Sequence, residues 1–78
     1  MLRRSFYTIW KGKADGSDDP VLLEDEPLFN TKHRAFKRAR QLADKLVVGW
    51  EQAILVRYVT VGSDLCTEWV FTPDGATA

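Results

Sequence analysis

Cys66 and His33 are the chain's lone cysteine and histidine and carry the side chains that nucleophilic catalysis would call on. Such catalysis needs a thiolate or hydroxyl, a base within hydrogen-bond reach and a group that orients the base. Neither residue sits in a pattern that supplies the other two. The expected reading is a surface histidine and, for Cys66 on an apolar strand-like run, a small buried thiol. The acidic run Glu24-Asp25-Glu26 lacks the alternating spacing and turn glycine of a calcium loop. Neither a phosphate-binding loop, nor a dinucleotide fingerprint, nor a Cys/His metal spacing is present. The expectation is a protein that is not an enzyme and uses no metal and no cofactor.

Charge is the more informative chemistry. The 78 residues carry eleven cations and eleven acids, so the net charge is zero, but the signs fall in blocks. Arg3, Arg4, Lys11 and Lys13 lead, and six acids between Asp15 and Glu26 follow. Six cations from Lys32 to Lys45 then stand against Asp44, and four acids against Arg57 close the chain. Segregation of this kind creates local fields that the sum conceals.

The densest block, TKHRAFKRARQLADKL at residues 31–46, reads as a helix with Asn30 or Thr31 as its cap and Gly49 near its end. At helical spacing Ala35, Phe36, Ala39, Leu42, Ala43, Leu46, Val47 and Trp50 form an apolar stripe for a core. Arg34, Lys37, Arg38, Gln41 and Lys45 fall on the opposite arc, and these are the candidate binding residues. His33, Arg40 and Asp44 lie along one border. The first turn raises a physical problem, because Lys32, His33 and Arg34 place positive charge where the helix dipole is already positive. Glu24, Asp25 and Glu26 arrive just before it, placed to fold back over that end, and two readings of the face stand level: neutralisation within the molecule and a partner-binding role.

The elements around the helix follow from local chemistry. SFYTIWKGK (5–13) is dense in aromatic and β-branched residues and predicts a strand. ADGSDDP is a turn cluster, and Val21 to Leu23 predict a short edge strand that Pro27 limits. QAILVRYVT and LCTEWVFT predict a hairpin around Val61-Gly62-Ser63-Asp64, with Gly62-Ser63 as the loop and Arg57 opposite Glu68. One hairpin face then carries Ile54, Val56, Tyr58, Leu65, Trp69 and Phe71, and the other carries Leu55, Val59, Val61, Cys66 and Val70. The fold class is α+β, a β-(β)-α-β-β domain whose mainly antiparallel sheet has one helix on one face. The ordered core is expected over about 4–73, with 74–78 as a flexible tail. Because one helix covers one face, Leu55, Arg57, Val59 and Val70 form a second candidate interface, to be covered by the 14–30 segment, a second copy or a partner.

In one respect TKHRAFKRARQLA resembles the second helix of double-stranded RNA-binding domains, where a Ser/Thr-Lys-Lys start precedes alanines at helical spacing. In that family the helix ends the domain. Here a hairpin follows it and His33 takes the place of the second lysine, so the assignment does not carry over. By size and strand-helix-hairpin plan the chain is similar to some small anti-CRISPR proteins, which implies an inhibitor or accessory factor of a phage or mobile element. A lone cysteine and the lack of an apolar run long enough for a signal segment or a membrane span point to the cytoplasm. The expectation is a protein-binding module docking on a larger assembly, with nucleic-acid binding through the basic helix as the alternative and a homodimer allowed.

Overall fold

The computed structural model describes residues 4–46, 51–64 and 66–73. Expectations placed on Leu65, on Val47, Gly49 and Trp50, and on the 74–78 tail lie outside these residues. Strands β1 (Ser5–Lys13), β2 (Val21–Leu22), β3 (Gln52–Thr60) and β4 (Cys66–Phe71) form one antiparallel sheet in the order β2-β1-β3-β4, and helix α1 (Lys32–Ala43) packs on one face. The α+β class and the strand-helix-hairpin plan are as the sequence predicts.

The pairing Arg57↔Glu68 fixes the hairpin register and sorts the two strands' side chains by parity onto the two faces. Ile54, Val56 and Phe71 turn toward the helix, and Leu55, Val59, Cys66 and Val70 turn away. The loop itself differs in one detail. The Ser63 N–H donates to the Thr60 carbonyl at 3.1 Å, so Val61 and Gly62 are the central turn residues, and Gly62 has φ +88°. Only glycine enters that region without a Cβ penalty, which draws the turn one residue ahead of Gly62-Ser63.

Alanine dictates how closely the helix sits. Ala35, Ala39 and Ala43, one turn apart, are each fully buried against Ile9, Ile54, Val56 and Phe71. Small side chains let the helix backbone approach the sheet, while Phe36, Leu42 and Leu46 pack around them. Phe36 meets Trp69 and Phe71 edge-on at centroid distances of 5.0 and 5.1 Å, the geometry that the ring quadrupoles favour. Tyr7 extends the aromatic layer to Tyr58 at 4.6 Å. Leu23 and Phe29 pack against the core as well, because Leu23 donates to the Ile9 carbonyl and Phe29 exchanges two backbone hydrogen bonds with Tyr7. The 21–29 segment thereby closes the outer edge of β1.

The 14–20 turn closes part of the sheet's other face. Asp15 Oδ1 accepts the Ser17 N–H, and Gly16 takes φ +74°. At the end of this turn Pro20 comes down on β1 where Gly12 has no side chain. A Cβ on Gly12 would lie 3.2 Å from both Leu55 Cδ1 and Pro20 Cβ. Leu55 is consequently buried.

Candidate functional site

Thr31, in extended conformation, caps α1, and its Oγ1 accepts the Arg34 N–H at 3.4 Å. No acid lies in the first turn. Lys32 meets the dipole problem differently: its Nζ stands 5.0 Å from the Trp69 ring centroid and 5.3 Å from that of Phe36, where π-faces attract a cation. His33 and Arg34 remain exposed.

The acidic run does fold against the helix, but at its middle rather than over its N-terminus. Glu26 takes Arg38 in a two-pronged pair, Nε to Oε1 at 2.5 Å and Nη2 to Oε2 at 2.9 Å. The Glu26 side chain is 11% exposed and that of Arg38 35%. The Arg38 hydrogen bonds hold the Glu26 carboxyl below its usual range, against the opposing effect of burial. Glu24 and Asp25 are exposed beside it. Arg40 is committed on the opposite flank, where it pairs with Asp44 at 3.0 Å and donates to the Thr72 carbonyl at the end of β4.

The structure thus divides the predicted basic face. Arg38 is spent inside the molecule. Arg34, Lys37 and Gln41 form an exposed row on the helix that Lys45 continues into the turn beyond it. Among the described residues Arg34, Lys37 and Lys45 form no ion pair, although Lys45 is close enough to help hold Glu26 ionised. Gln41 has a long contact of 3.5 Å with Arg38 Nη1.

The predicted sheet-face residues are arranged as cross-strand rows. Phe6, Val59 and Cys66 form one, Thr8, Arg57 and Glu68 the next, and Leu22, Trp10, Leu55 and Val70 a third. The middle row is tied together. The Arg57 guanidinium lies 4.5 Å from the Trp10 ring centroid and pairs with Glu68 at 2.6 Å. Trp10 Nε1 donates to Thr8 Oγ1, which donates to the Arg57 carbonyl. Trp10 was not among the predicted site residues. Its parity with Thr8 and Gly12 puts the three on one face, and the β1–β3 register makes that the face that the helix leaves uncovered.

Cys66 corrects an expectation: it is exposed. Standing first in β4 on the face away from the helix, it lies beyond the reach of the core. It also lies on the opposite side of the sheet from His33. Among the described residues no group of three or more His, Cys, Asp or Glu could hold a metal ion, and no helix is long and apolar enough to cross a membrane. Compared with protein-family models, curated proteins and solved structures, the chain matches none of them.

Proposed function

We propose that this chain is a small non-enzymatic protein-binding module that docks through Arg34, Lys37, Gln41 and Lys45 on an acidic surface of a larger assembly. An inhibitor or accessory protein of a phage or mobile element, acting in the cytoplasm, fits this description. The observation that carries the reading is the division of the helix cations. Glu26 removes Arg38 from the outward charge, while the neighbouring row stays exposed on a helix anchored by three buried alanines. Charges on a rigid element steer association and fix orientation more than they add affinity.

A protein partner is favoured over nucleic acid because Glu24 and Asp25 are exposed next to the Glu26 that clasps this helix. Carboxylates at the margin of the row repel a phosphate backbone, and a dedicated nucleic-acid binder is expected to be basic. The test is affinity capture from the native cell with the parent and with an Arg34→Gln/Lys37→Gln/Lys45→Gln variant, each with and without nuclease treatment. A protein retained by the parent and lost by the variant is expected. Capture that disappears on nuclease treatment would favour nucleic-acid binding, and equal capture by both proteins would remove the row as the docking site.

A further inference from the structure

The two outer edges of the sheet are finished differently. β1 is capped by the 21–29 segment, which carries Pro27 and follows Pro20. β4, with the sequence CTEWVF, is the last strand in the sheet order, and no described residue lies beyond it there. Natural edges are protected by lysine, proline, bulges or a covering segment. Among the described residues β4 has none of these. Its one charge, Glu68, is held by Arg57 of the neighbouring strand.

The direction of the bare backbone groups follows from the ladder. Tyr7 exchanges hydrogen bonds with Phe29 and the Ile9 carbonyl takes the Leu23 N–H, so the odd residues of β1 turn their groups away from β3. Alternation across an antiparallel ladder then directs Leu55, Arg57 and Val59 toward β1, and Ile54, Val56 and Tyr58 toward β4. Thr67, Trp69 and Phe71 accordingly bond to β3. The N–H and C=O groups of Cys66, Glu68 and Val70 point outward, and no described residue takes them in a backbone hydrogen bond.

We infer that the β4 edge is the interface of a two-fold homodimer, in which β4 of one copy pairs antiparallel with β4 of a second to give one continuous sheet. This goes beyond the proposed docking function. Three observations choose a second copy as the occupant. The capped β1 edge prevents head-to-tail addition, so edge pairing between copies closes at a dimer. Zero net charge puts no overall repulsion between the copies. A register with Trp69 on the axis sets the two indoles opposite each other, a favourable cross-strand pair, and Glu68 opposite Val70, whereas a register centred on Glu68 would oppose two carboxylates. In the chosen register Glu68 and Val70 exchange their outward groups across the axis. Both helices then lie on the same side of the sheet, and the two Arg34–Lys45 rows face one way.

The test joins sedimentation with amide exchange on the full chain. The parent should sediment as a dimer that dissociates on dilution. The amides of Glu68 and Val70 should be protected at high concentration and exchange freely when dilute, while those of Thr67, Trp69 and Phe71 stay protected throughout. Val70→Pro removes an outward N–H and no bond of the β3 ladder, so it should give a folded monomer, as strand-edge proline is tolerated there. Thr67→Lys adds an edge cation at an exposed position and should do the same if Val70→Pro fails to fold. A parent that is monomeric at every concentration, with Glu68 and Val70 exchanging freely, would overturn the inference and leave the edge to a strand of another protein. A dimer that survives both variants would overturn it in favour of another face.

Discussion

The two faces of the sheet have similar apolar content in sequence and are closed in different ways. The face toward α1 is sealed by another element, with Ile9, Ile54 and Val56 at 2% exposure or less beneath the alanine stripe. The other face is closed largely from within: Arg57 lies on Trp10, Glu68 holds Arg57, and Pro20 covers Leu55 over Gly12. A helix makes a dry core, where every lost methylene leaves a cavity. A stack of long amphipathic side chains makes a cover whose parts are each replaceable by water at modest cost.

This contrast ranks the expected effects of substitution. Phe71→Ala, which removes a buried ring and an edge-on partner of Phe36, should cost about 3–5 kcal/mol, measured by denaturant unfolding. Ala39→Leu should also be severe, about 1–3 kcal/mol, because the fully buried position has no room for a longer side chain. On the other face, Trp10→Ala should cost about 2 kcal/mol, since the ring is only partly buried and water can reach the buried Thr8 hydroxyl once the substitution uncovers it. Arg57→Ala should cost about 1 kcal/mol, for one cation-π contact and one partly exposed ion pair. Equal costs for Phe71→Ala and Arg57→Ala would break the comparison.

The smallest effect has a pH signature. Because Arg38 holds the Glu26 carboxyl below its usual range, the pair stabilises the fold above the unfolded glutamate pKa, about 4.3. That contribution is lost as pH falls through the lower folded value. Glu26→Gln should therefore be destabilising by less than about 1 kcal/mol near neutrality, given the partial exposure of Arg38. The difference from the parent should vanish in acid. A gap that widened as the pH fell would contradict the assignment.

Local patterns made most of the fold legible. Strand β1 was bounded by its aromatic run and the Asp15-Gly16 turn, α1 by Thr31 and the alanine spacing, and the hairpin register by the opposition of Arg57 and Glu68. The exposure of Cys66 was not legible, since it depends on how far the cover on the face away from the helix, Pro20 over Leu55 and Arg57 on Trp10, extends along β4. Nor was the choice of Arg38 by Glu26 among several cations, because the path of residues 23–29 along the β1 edge sets it. The role of Trp10 needed the β1–β3 register, which parity within a single strand does not supply.

The central claim is that the outward row, and not the internally held Arg38, steers docking. Its most direct measurement is the rate of association with the captured partner as a function of salt, for three proteins. The Arg34→Gln/Lys37→Gln/Lys45→Gln variant should associate about tenfold more slowly than the parent at low salt and lose most of the salt dependence. The Glu26→Gln/Arg38→Gln double variant removes the internal pair without changing net charge and should match the parent. Equal slowing in both variants, or a parent rate indifferent to salt, would contradict the account.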